Sequence, residues 1–287
     1  MFDNILVPTD GSDCAWTAVR YAEDLAARYD ATIHVLCVVD SHTLEDDPHR
    51  QQLEDESAEL VASVRSDIAA ATGTVEGAVR TGIPHREIIE YATQQDVDLV
   101  AMGTHGRTGV ERYLLGSVTQ KVVRLSDVPV LTVGAADDGA TTYPYSDVLI
   151  PTDGSDQAAA AIDVGVDIAK TYDARLHALS VIDTMAFGAD ARPADILDML
   201  DDAAQEAVGA VEADAIGSSV SAVETAVEYG HPYRKIRSYV DANDVDLIVM
   251  GTHGRSGLER YLLGSVTEKV VRTSAVPVLT VRSSTDA

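Results

Sequence analysis

Lysine is scarce in this 287-residue chain. Only Lys121, Lys170, Lys235 and Lys269 stand among 21 basic residues, against 47 Asp and Glu, and the formal net charge is -26. So few cations exclude general nucleic-acid binding by a basic face, which needs clustered Lys and Arg to neutralise phosphates. They also argue against docking on an anionic membrane. The two cysteines, Cys14 and Cys37, provide neither a disulfide framework nor zinc-ligand spacing. Cys37 lies inside the apolar run IHVLCVV and is expected in the core. No apolar stretch reaches the roughly 18–20 residues that span a bilayer. The start, MFDNILVPTDGSD, lacks the basic beginning and hydrophobic region of a signal peptide. The expected location is the cytoplasm. Charge this one-sided repels itself in dilute salt and is relieved by screening in concentrated salt, so the expected source is a salt-accumulating halophile.

What is present is enough for a core. Hydrophobic residues make up 46% of the chain, which excludes wholesale disorder, and the length suits two domains. The chain is in fact written twice. MGTHGRTGVERYLLGSVTQKVVRLSDVPVLTV at 102–133 returns as MGTHGRSGLERYLLGSVTEKVVRTSAVPVLTV at 250–281, with 27 of 32 residues identical. ILVPTDGSD at 5–13 returns as VLIPTDGSD at 148–156, and TGIPHREII at 81–89 as YGHPYRKIR at 229–237. Two copies at so long a period indicate duplicated domains rather than a solenoid. The small, polar, proline-bearing stretch between them is the linker. The expected division is 1–135, a linker at 136–146, and 147–287.

Each copy alternates strand and helix. In the first, the apolar run Ile5–Val7 leads into the turn Pro8–Ser12 and a helix over Asp13–Tyr29, whose apolar residues recur at helical spacing. A β-branched run follows at Ile33–Val39, then an acidic helix near 50–71, a strand over Thr74–Arg80, and a helix opened by Pro84 at an allowed first-turn position. A strand over Asp98–Met102, a glycine-rich loop, a helix over Ser117–Leu125 and a strand over Val128–Val133 complete the copy. Strands apolar on both faces, alternating with helices, predict two α/β domains, each with a five-stranded parallel sheet covered on both sides.

The loop after the fourth strand carries the chemistry. Gly103 falls where an apolar strand ends, the place where open parallel sheets bind ligands. Glycines at 103, 106 and 109 are expected to let the backbone turn sharply and approach a ligand. Gly116 opens a helix beginning Ser117, Val118, Thr119; in the second copy the residues are Gly264, Ser265, Val266 and Thr267. The first N–H groups of such a helix lack intrahelical acceptors and suit a phosphate, and the Ser and Thr hydroxyls are expected to add donors. Residues 103–124 hold Arg107, Arg112, Lys121 and Arg124 against one acid; residues 251–272 hold Arg255, Arg260, Lys269 and Arg272 against two. An anion therefore meets repulsion nearly everywhere but here, although Lys121 and Arg124 lie late enough on the helix to serve its C-terminus instead. His105 and His253, flanked by glycines, are expected to face solvent and take no catalytic role. His34 and His177, inside strand patterns, read as core or edge residues. No Walker loop occurs, and no G-x-G-x-x-G follows the first strand.

On these residues the chain resembles a tandem universal stress protein. That family's nucleotide signature, G-x2-G-x9-G-S/T, stands intact as Gly103/Gly106/Gly116-Ser117 and as Gly251/Gly254/Gly264-Ser265. The PTDGS turn and the GSVT-helix-VPVL ending agree as well. The resemblance implies a Rossmann-like, adenine nucleotide alpha hydrolase-like fold and one ATP (or ADP or AMP) per repeat. Mg2+ would be held through the phosphates and not by protein ligands. It also implies that Asp10 and Asp153, after Pro8-Thr9 and Pro151-Thr152, contact the ribose and adenine side. An Asx-turn or helix-capping role for Asp10 stands beside that one. Val38 and Val181 would line the adenine pocket, being apolar residues expected in the core in any case. Met102 and Met250 would pack on adenine or in the core. His105, Arg107, His253 and Arg255 complete the implied binding loops.

The resulting expectation is a nucleotide-binding stress-response module, at most a slow ATPase. The alternatives are an ATP-using enzyme on a related fold, or a nucleotide-independent dimerisation or adaptor module. The enzyme would carry signatures such as Ser-Gly-Gly-x-Asp-Ser or His-x-x-His, and the chain has neither. The nearly identical last strands are expected to pair the repeats as an intrachain pseudo-dimer, with further homo-oligomers open. The dissimilar segments 41–56 and 184–200 suggest different protein partners over the two mouths.

Overall fold

The computed structural model describes residues 1–41, 50–69, 74–106, 115–134, 142–184, 194–254 and 263–283. The chain divides into two compact units, Met1–Thr141 and Thr142–Ala287. In the first, strands β1 (Asn4–Pro8), β2 (Thr32–Asp40), β3 (Val75–Gly82), β4 (Leu99–Gly103) and β5 (Val130–Val133) alternate with helices α1 (Asp13–Tyr29), α2 (Arg50–Ala69), α3 (Pro84–Gln94) and α4 (Ser117–Leu125). The second repeats this with β6 (Asp147–Pro151), α5 (Asp156–Tyr172), β7 (Arg175–Asp183), α6 (Ala194–Gly217), β8 (Ala222–Gly230), α7 (Pro232–Ala242), β9 (Leu247–Gly251), α8 (Ser265–Thr273) and β10 (Val278–Val281).

Local signals explain the helix ends. Ser12 caps α1 with an extended backbone and accepts a hydrogen bond from the Ala15 N–H at 3.3 Å, while Asp30 closes it in the left-handed region at φ 57°. Ser155 and Asp173 do the same for α5. Proline starts α3 and α7, where its missing N–H costs nothing.

Within the first unit the strands run β3-β2-β1-β4-β5, every neighbour parallel. The second runs β8-β7-β6-β9-β10 in the same way. Helices cover both faces. α1 packs on β1 and β4 and touches α2, while α3 packs on β2 and β3 and touches α4. Ile5, Leu6 and Val7 are completely buried and β4 is buried along its length, as strands apolar on both faces require. β3 and β8, outermost in their units, are half-exposed. Cys37 is in the core, as are His34 and His177. His34 bonds Tyr91 Oη and Asn4 Oδ1, both at 3.2 Å, and His177 bonds Tyr239 Oη at 3.1 Å and Asp147 Oδ1 at 2.9 Å. Asp98 accepts from the backbone N–H groups of Asp3 and Asn4, tying the start of β4 to that of β1. Asp246 repeats this with Ser146 and Asp147. Tyr145, near the end of the expected linker, is buried in the second unit with its ring 4.7 Å from that of Tyr172.

Candidate functional site

Strand order reverses between β1 and β4, since the chain runs outward from β1 through β2 to β3 and returns on the other side. At such a switch point the loops leaving the carboxyl ends diverge and open a crevice. The two loops here are Pro8–Ser12 and the segment from Gly103, and in the second unit Pro151–Ser155 and the segment from Gly251. These two loops of each repeat therefore lie at one end of one sheet.

The first loop is built by its own side chains. Thr9 extends the ladder through its N–H to the Leu36 carbonyl, and Thr9 Oγ1 accepts from the Gly11 N–H at 3.2 Å. Asp10 Oδ1 accepts from the Ser12 N–H at 3.0 Å, so the Asx-turn exists, while the helix cap is Ser12 and not Asp10. Gly11 and Gly154 stand at φ 76° and 75°, where a side chain is disfavoured. The other carboxylate oxygen of Asp10 faces the second loop. A Cβ on Gly106 would lie 2.5 Å from Asp10 Oδ2, and one on Gly254 2.4 Å from Asp153 Oδ2. Glycine at these positions lets the carboxylate lie against the loop backbone.

Several expectations change their physical reason. Gly103 is glycine because α1 abuts it: a Cβ would meet Cys14 Cβ at 2.6 Å, and at Gly251 it would meet the Gln157 carbonyl oxygen at 2.5 Å. Helix packing by itself therefore requires glycine at these positions. The Thr119 hydroxyl is no outward donor. It is buried and donates to the Gly103 carbonyl at 2.8 Å, as Thr267 does to Gly251 at 2.9 Å. Ser117 and Ser265 are exposed, and Val118 and Val266 are half-buried. Gly116 stands at φ -59° and ψ 143°, a shape open to any residue, so its constraint is spatial: a Cβ there would stand 3.2 Å from the Thr104 carbonyl oxygen. The histidines do not face solvent: His253 is buried and His105 half-buried, their Nδ1 atoms 3.0 and 2.9 Å from the hydroxyls of Thr252 and Thr104. Val38 and Val181 are half-buried between buried neighbours, so they are not plain core but present apolar surface near the ends of β2 and β7. Met102 and Met250 are 5% exposed and sit in the core.

The described basic residues of 103–124 and 251–272 lie along α4 and α8 rather than at their starts. Arg124 and Arg272 lie in the last turns of α4 and α8, at about 1.5 Å per residue some 10 Å along the helix from its first residue, where they complement the C-terminal dipole. Lys121 and Arg124 act toward α3, where burial first, and then their charges with that of Arg86, hold His85 below its ordinary pKa. Arg107, Arg112, Arg255 and Arg260 lie outside the described residues, as does Gly109. What remains at the crevice is the start of α4 and α8. The helix caps are Gly116 and Gly264, with no side-chain cap among the described residues, so the first helical N–H groups keep their capacity to bind an anion. Among the described residues no group of three or more His, Cys, Asp or Glu could hold a metal ion.

Three contributors escape the sequence pattern. Thr104 pins the loop: its N–H donates to the Val133 carbonyl and its own carbonyl accepts from the Gly116 N–H, both at 2.8 Å. Ser12 Oγ donates to the His105 carbonyl at 3.4 Å, joining the two loops. Cys14 lies beneath Gly103, where burial pushes its thiol pKa up against opposing hydrogen bonds from the His105 backbone and the Thr104 side chain. The threonines stand at the free x positions of the signature, so only their spacing beside Gly103 and Gly251 could have pointed to them.

The chain matches the universal stress protein family over residues 1–134 and again over 144–282. A universal stress protein of Methanocaldococcus jannaschii is 38% identical over 140 residues, 46% of this chain and 82% of that protein. Another from the same organism is 27% identical over 154 residues, 46% of this chain and 95% of that protein. These relatives correspond to one repeat. The crystal structure of a universal stress protein from Archaeoglobus fulgidus covers 97% of this chain and 98% of its own, at 26% identity and a TM-score of 0.74. No described helix is long and apolar enough to cross a membrane.

Proposed function

The chain belongs to the universal stress protein family, and on that premise we propose that it is a regulatory module binding one adenine nucleotide, ATP, in each repeat. The observation that carries this reading is the complete glycine signature, present twice, leading at the strand-order switch point into a helix whose cap has no side chain. The phosphates belong at the first N–H groups of α4 and α8, with Ser117 and Ser265 exposed beside them. The ribose belongs at Asp10 and Asp153, and the adenine against the half-buried Val38 and Val181. Arg107 and Arg255, with His105 and His253, complete the proposed set. The bound nucleotide would supply the phosphate charge that recruits Mg2+, in keeping with a site that offers N–H groups and few carboxylates. Binding rather than turnover is its role, with slow hydrolysis secondary. Pairing of the two repeats through their last strands, a protein partner over each mouth, a cytoplasmic location and a halophilic source belong to the same proposal, supported by composition and repeat identity.

Denaturing the purified protein and chromatographing the released small molecules tests the reading directly. Calorimetry in molar KCl is expected to find about two ATP sites per chain. A stoichiometry of zero with ATP, ADP and AMP alike refutes it.

A further inference from the structure

Where 27 of 32 residues agree between the repeats, the five that differ carry information. Two of them sit together at the end of the last helix: Leu125 is replaced by Thr273, and Asp127 by Ala275. Both changes shrink a side chain, and the second removes an acid. A third difference, one element away, sets Arg237 on α7 where α3 has Ile89. In the second unit all three replacements line one crevice of about 60 Å³ between α7 and α8.

The crevice has an apolar floor and a polar rim. Ile236, Ile248 and Val270 line it and are buried. At the rim, the one proton of the Thr273 hydroxyl is shared between the Tyr233 hydroxyl oxygen at 3.0 Å and the Lys269 carbonyl at 2.7 Å. The Thr273 hydrogen bond first, and Arg237 and Arg272 with it, draw the Tyr233 hydroxyl below its ordinary pKa, against the effect of burial, as a locally positive field requires. Arg237 is exposed, and among the described residues no carboxylate lies within ion-pairing distance of it. Asp241, one turn further along α7, also lines the crevice and opposes a second negative charge on any occupant.

We infer that this crevice is a ligand site of the second repeat for a short-chain monocarboxylate, with its carboxylate on Arg237 and Tyr233 and its alkyl end on Ile236, Ile248 and Val270. Size, charge and polarity each select that class. At roughly 10–15 Å³ for one water-sized occupant, the volume holds roughly four to six heavy atoms. Arg matches a carboxylate with two parallel donors. Asp241 disfavours a dianion such as phosphate, and the floor rewards an alkyl group over a fully hydrated ion.

The inference is independent of the nucleotide reading and is tested with butyrate on the full chain by saturation-transfer NMR at constant KCl. Saturable binding in the millimolar range is expected, unchanged by ATP. Arg237→Ile and Thr273→Leu, which install the first repeat's residues, should each weaken it at least tenfold while circular dichroism stays constant. Asp241→Asn should strengthen it, a gain that misfolding cannot imitate. No saturable signal, equal binding by all variants, displacement by ATP, or equal competition by inorganic phosphate would each overturn the assignment.

Discussion

Gly106→Ala separates a binding role of Asp10 from a structural one. The new Cβ would stand 2.5 Å from Asp10 Oδ2, against about 3.5 Å for a relaxed non-bonded contact, so the carboxylate must retreat by about 1 Å. The clash falls on the end of a half-buried side chain, and a forced rotamer shift of that kind costs about 1 kcal/mol. In a unit of this size that lowers the melting temperature by only about 2–6 °C. The proposed contact from Asp10 to the nucleotide is a charged hydrogen bond, a class that contributes about 1.5–3 kcal/mol. Its loss weakens ATP at the first site roughly 10- to 150-fold. Calorimetry with ATP in molar KCl should therefore find one site at wild-type affinity and one weakened, and Gly254→Ala should weaken the other. Two unaltered sites would show that Asp10 does not hold the nucleotide. Equal weakening of both sites by the single change would show that the effect is not local.

Four further outcomes are expected. Gly116→Val, which sets a branched side chain 3.2 Å from the Thr104 carbonyl oxygen at the start of α4, should abolish binding in the first repeat and leave the second competent; two unchanged equivalents by calorimetry would displace the phosphate from that helix. The melting temperature should rise from dilute buffer to molar KCl, because salt shortens the reach of repulsion to about 3 Å at 1 M; a flat profile by scanning calorimetry removes the halophile reading. Burial holds the His34 pKa below its ordinary 6.5, with Glu76 acting weakly the other way, so the unfolded chain takes up the proton first and stability falls as pH drops below about 6.5. Asn4→Asp, which copies the Asp147 partner of His177, should reduce that acid loss in pH-dependent melts, and an unaltered slope counts against the assignment. Finally, the first half expressed as 1–138 should dimerise by light scattering while the intact chain remains a monomer; a strictly monomeric half argues against pairing of the repeats.

How much was legible in the sequence follows the range of the interactions involved. Helices α1 and α4 begin and end where the residues alone predict, because Ser12, Asp30 and Gly116 act on backbone groups within a few positions of themselves. The repeat guaranteed two copies of one fold, and strands apolar on both faces required a sheet covered on both sides. The expected strand from Val128 starts instead at Val130, since Ser126 Oγ donates to the Val128 carbonyl and accepts from its N–H, holding those residues in a turn. The glycine signature marked the site, but not why its members are glycines or where its hydroxyls point. Gly103 answers to Cys14 and Gly106 to Asp10, each some 90 positions away; Thr119 turns inward to Gly103, and His253 is buried against Thr252. The contacts of Gly103 with Cys14 and of Gly106 with Asp10 exist only after β4 has paired beside β1 and α1 has packed across both. Local backbone chemistry could be read from the sequence by itself, while the aim of each site side chain was decided by the strand order that brings distant loops to one edge of the sheet.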